Sequence, residues 1–245
     1  MLAILGGSGL SQFAELEGIR RKQVATPYGA PSDALTFGTI RGKPALFLAR
    51  HGGGHSIAPH EVNYRANIWA LKEEKVEGVV AVAAVGSIRR DLAPGALLLP
   101  DQIIDYTWGR PSTFFEGAEA AVTHVDFTEP YSGALRARIL AAAAACGEPV
   151  RDGGVYAATQ GPRLESAAEI NRLERDGADV VGMTGMPEAA LARELGLEYA
   201  AIAVVANHAA GRGESASTVS LERIATVLEL AMHRVRRIVG TLVAR

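Results

Sequence analysis

Cysteine is nearly absent: Cys146, inside an alanine-rich run, is the single thiol in 245 residues. No internal disulfide can form, so the chain reads as a protein of a reducing compartment, with Cys146 a small buried hydrophobe. Charge of one sign is lacking too. The formal net charge of −2 gives no general attraction to nucleic acid or to an anionic membrane, so any phosphate has to be held locally. Long apolar runs are also missing. Met1–Leu5 is apolar, but it has no basic flank and runs straight into Gly6, too short for a signal peptide or a membrane span. The expectation is a cytoplasmic protein with neither nucleic acid nor membrane as partner. No repeat, linker or charge run divides the chain, and 48% hydrophobic against 21% charged residues suits one sizeable core. A single domain over 1–245 is expected.

What is present is an alternation of short apolar runs and helical patterns. Leu2–Leu5, Ala45–Ala49, Val79–Ala84, Ala96–Leu99, Val155–Ala158, Val180–Gly182 and Tyr199–Ala206 mostly lack polar alternation, as strands covered on both faces do. Between them lie helical stretches at Asn63–Glu74, Gly133–Ala145, Ser166–Asp176, Pro187–Leu195 and Leu221–Val239. Ser166 and Glu169 have capping-box spacing, Pro187 suits a first helical position and Gly196 a C-cap. The fold class expected is α/β.

The segments with chemical character sit at strand ends. Gly6-Gly-Ser-Gly-Leu10 can turn backbone N–H groups and the Ser8 hydroxyl toward an anion, and is equally well read as a tight turn. It is neither a P-loop nor a complete dinucleotide fingerprint. Arg50 offers a planar fork matched to phosphate oxygens, and His51 adds a donor, just before Gly52-Gly-Gly54. His51, His55 and His60 do not read as metal ligands, because a helical i, i+4 pair does not tolerate the glycines between. Small residues at Ala83 and Ala84 let a ligand approach the backbone, or let a helix pack closely. Glu165 reads as a helix-start carboxylate or a ligand contact. Thr184 and Asn207 follow apolar strands, where ligands bind in open α/β sheets, or act there as caps.

Taken together, GGSGL at 6–10, TPYGAPSDAL at 26–35, ARHGGGH at 49–55, HEVNYRANIWALKEE at 60–74, GS at 86–87, DQIIDYT at 101–107, TQGPRLES at 159–166 and the run 177–207 resemble the trimeric purine nucleoside phosphorylase and methylthioadenosine phosphorylase family. The resemblance implies a mixed, twisted sheet flanked by helices, a homotrimer, and no metal or organic cofactor, with inorganic phosphate as a substrate. It assigns phosphate to Ser8, Arg50, His51, the backbone of Ala83 and Ala84, and Thr184. Met183 lies under the ribose, Leu164 faces the purine, and His124 reaches toward a neighbouring subunit's site. Asn207, Arg50 and His51 carry the catalysis, with His51 a phosphate donor rather than a base.

Similar adenine-cleaving enzymes carry aspartates where this chain has Asn207 and Ala209, and no glutamate at 165. A 6-oxopurine presents an O6 acceptor and an N1–H donor, which Asn207 and Glu165 complement. A site so built leaves polar groups unpaired against adenine, a mismatch worth about 10⁴-fold. Inosine- and guanosine-cleaving relatives place a histidine for the 5′-hydroxyl fourteen residues after the asparagine. Here that position is Leu221, with Ile224 one turn on, an apolar pair suited to a 5′-methylthio group. The expected substrate is S-methyl-5′-thioinosine. The alternatives are methylthioadenosine, inosine or guanosine as substrate, or a nucleoside-binding module without catalysis.

Overall fold

A computed structural model describes residues 1–10, 12–117 and 121–245. In chain order the described residues form β1 (Leu2–Gly6), β2 (Glu17–Lys22), β3 (Leu35–Ile40), β4 (Lys43–Ala49), α1 (Tyr64–Glu73), β5 (Gly78–Ser87), β6 (Leu97–Leu99), β7 (Gln102–Asp105), α2 (Gly133–Ala145), β8 (Arg151–Asp152), β9 (Val155–Ala158), α3 (Ala167–Arg175), β10 (Val180–Gly182), α4 (Gly185–Glu194), β11 (Glu198–His208) and α5 (Leu221–Ala244). The class is α/β, with one mixed sheet flanked by helices, as expected.

The unalternating strands are apolar because both faces of the sheet are covered. Along β1, Ala3 and Leu5 join the core that includes Ile68 and Leu71 of α1 and Leu191 of α4, while Leu2 and Ile4 join the core built on Ile139 of α2 and Met232, Val235 and Ile238 of α5. Cutting one such buried aliphatic, Ile238, back to alanine costs about 2–5 kcal/mol. A third, smaller core places α3 through Ile170 and Leu173 against Ala157 and Val181.

Helix ends follow their local chemistry. Asn63 and Glu74 are caps of α1, and Ser166 caps α3 with the reciprocal bond from Glu169. Gly196, at φ 63°, takes the left-handed position after α4 that disfavours a side chain. Met186 has non-helical backbone angles, so the regular turns of α4 start at Pro187 after an irregular first step at Gly185. The last helix runs five residues past Val239 to Ala244. Cys146 is half-buried at the C-cap of α2 rather than fully buried, its thiol 3.4 Å from the Ala143 carbonyl.

The feature that positions the site is a fork at β5. β1 runs parallel to β5 only as far as Ala81, while β10 joins the same edge antiparallel at Gly86 and Ser87. β11 pairs with β5 on the other side along its whole length. Among the described residues, the edge of Val82–Val85 opposite β11 therefore has no strand partner, and a crevice opens where the strand order changes.

Candidate functional site

The crevice is a cavity of about 530 Å³, within the range of small-molecule sites. It is lined by three groups of residues expected from the sequence: Ser8, Arg50, His51, Ala83, Ala84 and Thr184; Leu164, Glu165, Met183, Asn207 and Ala209; and Leu221 with Ile224. His124 lies on an exposed segment and does not line the cavity of its own chain.

In the first group, the turn after β1 closes through Leu10 N–H to the Gly7 carbonyl at 3.0 Å, and it also brings Ser8 to the cavity. Gly7 is required for closeness: a Cβ there would stand 2.4 Å from the Val82 carbonyl and 2.9 Å from Arg50 Nη1. Thr184 occupies the N-cap of α4, where its side chain makes no capping bond and its N–H lies 3.4 Å from the Tyr156 hydroxyl.

Arg50 does not present the open fork expected of it. Its guanidinium is fully buried, with Nε 2.6 Å from Glu188 Oε2, Nη2 2.7 Å from Glu188 Oε1, and Nη1 2.9 Å from the Val82 carbonyl. Tyr199 donates its hydroxyl to the same carboxylate at 2.8 Å. Burial opposes the charge on Arg50, and the Glu188 carboxylate more than offsets it, so the guanidinium stays cationic. The carboxylate takes the fork side-on, which leaves mainly the second Nη1 hydrogen for an anion.

His51, expected as a phosphate donor, has one ring nitrogen engaged within its own loop. Its Nδ1 lies 2.9 Å from the Ile57 carbonyl, which can only accept, so the ring proton sits on Nδ1. Ile57 N–H returns a bond to the His51 carbonyl at 3.1 Å, and together the two bonds close the glycine loop. Burial and the neighbouring Arg50 charge push the imidazole down to about 4, so at neutral pH Nε2 carries a lone pair. The loop also folds His55 back, its ring 4.6 Å from that of His51 and its Nε2 3.3 Å from Ser8 Oγ.

In the second group, Asn207 stands at a register shift between Val205 and Asn207 of β11, a bulge that re-aims the side chain. One of its amide hydrogens goes to the His208 carbonyl at 2.6 Å, leaving the other hydrogen and Oδ1. Glu165 is held by the Thr159 hydroxyl at 2.6 Å on Oε1, leaving Oε2. A donor, an acceptor and a carboxylate thus sit around small Ala209. His208 is outside this cavity and packs on Gly213, where a Cβ would meet its ring at 2.5 Å.

In the third group, Leu221 and Ile224 are joined by Val219 and buried Leu228, an apolar lining with one open side: Leu221 is 70% exposed. Sequence reasoning missed Glu188, Tyr199 and Arg110. Buried Arg110 donates to the carbonyls of Met183 at 2.8 Å, Met186 at 2.7 Å and Gln160 at 2.7 Å, tying the loop that carries Leu164 and Glu165 to the loop that carries Met183 and Thr184. Among the described residues, no group of three or more His, Cys, Asp or Glu side chains stands in metal-binding proximity, and no helix is long and apolar enough to cross a membrane.

One cavity at a sheet fork thus gathers Ser8, Arg50 and Thr184 with the Asn207 amide and the Glu165 carboxylate. The chain belongs to the phosphorylase superfamily, whose model matches residues 1–244. A protein of Xanthomonas campestris named as a probable S-methyl-5′-thioinosine phosphorylase is 51% identical over 98% of this chain and 96% of its own. A 6-oxopurine nucleoside phosphorylase of Pyrococcus furiosus is 50% identical over 86% of this chain and 80% of its own. The solved methylthioadenosine phosphorylase of Schistosoma mansoni in complex with adenine superposes with a TM-score of 0.94 at 34% identity, covering 99% of this chain and 90% of that one.

Proposed function

We propose that the chain is a purine-salvage phosphorylase that cleaves S-methyl-5′-thioinosine with inorganic phosphate, giving hypoxanthine and 5-methylthioribose 1-phosphate. The observation that carries the reading is the meeting of three chemistries in one cavity: the anion-binding candidates Ser8, Arg50 and Thr184, the base-complementary pair Glu165 and Asn207, and the apolar pair Leu221 and Ile224. The identities to the Xanthomonas and Pyrococcus relatives support it.

Phosphate at the Ser8, Arg50 and Thr184 end faces the ribose over Met183. As the C1′–N9 bond lengthens, its electron pair moves into the purine and C1′ becomes cationic. The phosphate dianion stabilises that charge and then forms the new C1′–O bond, with no covalent enzyme intermediate. Asn207 accepts N7–H through Oδ1 and donates its free amide hydrogen to O6, while Glu165 takes N1–H. The departing base takes up at N7, through solvent, the proton that hydrogen phosphate gives up as it becomes the sugar phosphate dianion. No metal or organic cofactor takes part in this scheme.

A second reading, a 6-oxopurine nucleoside phosphorylase of broad 5′ tolerance, is favoured by the exposure of Leu221, which leaves the tail end open. The reading also entails a cytoplasmic homotrimer in which a neighbour, through the segment around His124, covers that end. Its solution mass should be three times that of the chain. Phosphate-dependent base release from S-methyl-5′-thioinosine, methylthioadenosine and inosine, measured side by side, tests the proposal. Hypoxanthine released fastest from the first supports it, and inosine turned over as fast selects the second reading. Adenine as the fastest product overturns the base assignment.

A further inference from the structure

We propose that His51 selects the oxyanion by its proton: the site takes an anion that carries a hydrogen of its own, such as hydrogen phosphate or hydrogen arsenate, and discriminates against sulfate, which carries none at neutral pH. This rests on the reading of the Ser8, Arg50 and Thr184 end of the cavity as the phosphate site.

The inference follows from where hydrogens are and are not available. The Ile57 carbonyl at 2.9 Å holds the ring proton of His51 on Nδ1, so the nitrogen left for the cavity is an acceptor. An oxyanion oxygen without a proton meets it lone pair to lone pair. An oxygen that bears a proton donates to it. Moving the proton to Nε2 would break the Ile57 bond, and adding a second proton would put a cation beside Arg50 in a buried place.

The remaining groups do not compensate. The charge of Arg50 is matched by Glu188 at 2.6 and 2.7 Å, so this end of the cavity carries little net positive charge to hold a dianion indiscriminately. The hydroxyls of Ser8 and Thr184 can donate or accept, so they bind phosphate and sulfate alike. His55, the other imidazole at this end, lies against Ser8 through Nε2 at 3.3 Å. Among the described residues here, His51 is thus the side chain whose bond to a carbonyl fixes its free nitrogen as an acceptor, which distinguishes the two tetrahedral anions, alike in size.

The test uses the whole chain. Sulfate and arsenate are measured as competitors of phosphate in turnover of S-methyl-5′-thioinosine, and calorimetric titration of each anion gives its affinity without turnover. Sulfate should bind about 100-fold more weakly than phosphate, with arsenate close to phosphate, because an unmade bond facing a lone pair is costly in a dry site. In His51→Gln the side-chain amide can turn a donor to the anion, and the gap should shrink to about tenfold or less. Sulfate competing as well as phosphate in the unaltered protein overturns the inference. So does an unchanged gap in His51→Gln. Should that variant fail to fold, the comparison of arsenate with sulfate on the unaltered protein decides alone. Should no nucleoside be cleaved while calorimetry still separates phosphate from sulfate, the proposed function fails and the inference stands.

Discussion

Arg50 and Glu188 meet side-on, Nε to Oε2 at 2.6 Å and Nη2 to Oε1 at 2.7 Å, with neither side chain exposed to solvent. The pair joins the end of β4 to the first turn of α4, so the walls of the oxyanion end are fixed to each other by charge as well as by packing. It also sets the direction of Arg50, because a guanidinium gripped on one edge can face a ligand only with the other.

Glu188→Gln should therefore do two things. Leaving one buried charge without its partner destabilises by about 3–5 kcal/mol, or roughly 6–20 °C in Tm for a chain of this size. The KM for phosphate should rise more than the KM for nucleoside, as Arg50 loses its orientation. Thermal unfolding and phosphate-saturation kinetics check both, and an unchanged melting temperature would show that the pair is not a structural tie.

His51 gives a pH-dependent stability of known sign. Its pKa falls from 6.5 to about 4 in the folded chain, so between these values the unfolded state binds more protons. The contribution is present above about pH 6.5 and is lost as pH falls through 4, amounting to about 3 kcal/mol. Relative to His51→Gln, the unaltered protein should lose stability between pH 7 and pH 4. Denaturant unfolding of both at the two pH values measures the difference, and parallel curves would contradict the buried neutral imidazole.

Much of this was legible in the residues, and the exceptions share causes. Strands β5, β9, β10 and β11 announce themselves through apolar runs, but Glu17–Lys22 is exposed at every position and carries no apolar face to read. The lining residues cluster at strand ends and glycine turns, which sequence displays. Glu188 looks like an ordinary helix-start carboxylate, because its partner Arg50 is 138 positions away. Arg110 stands in an irregular loop, and its carbonyl partners give no side-chain signal. The tautomer of His51 depends on a carbonyl, which no residue type reveals.

Asn207→Asp replaces the amide hydrogen that faces O6 with a carboxylate oxygen. Turnover of a 6-oxopurine nucleoside should fall about 10–100-fold in kcat/KM, the worth of a hydrogen bond to a developing charge. Activity on the 6-amino counterpart should fall less or rise. Competing-substrate kinetics report the ratio, and an unchanged preference would remove Asn207 from base recognition.

Ile224→Thr puts a hydroxyl into the apolar end. The preference for a 5′-methylthio over a 5′-hydroxy nucleoside should drop about tenfold, from lost apolar contact and a new polar partner. The ratio of kcat/KM values for S-methyl-5′-thioinosine and inosine measures it. No change in that ratio would place the 5′ end of the substrate elsewhere.

Arg110→Met removes the donor shared by the two loops. With Leu164 and Glu165 no longer held against Met183, kcat/KM for nucleoside should fall on the order of 10²-fold, as for a displacement of about 1 Å at a reacting centre. Phosphate affinity, read by calorimetry in the absence of nucleoside, should change far less. Equal losses in both would mean general unfolding rather than loop positioning.

The fork at β5 leaves the edge of Ala83–Val85 lining the cavity. Main-chain hydrogens survive every codon change except one to proline, whereas base and tail recognition rest on a few side chains, Glu165, Asn207, Leu221 and Ile224. Point mutation can therefore reassign which nucleoside enters far more readily than it can erase this edge. A library confined to those four positions would sample new leaving groups on an unaltered chemical platform.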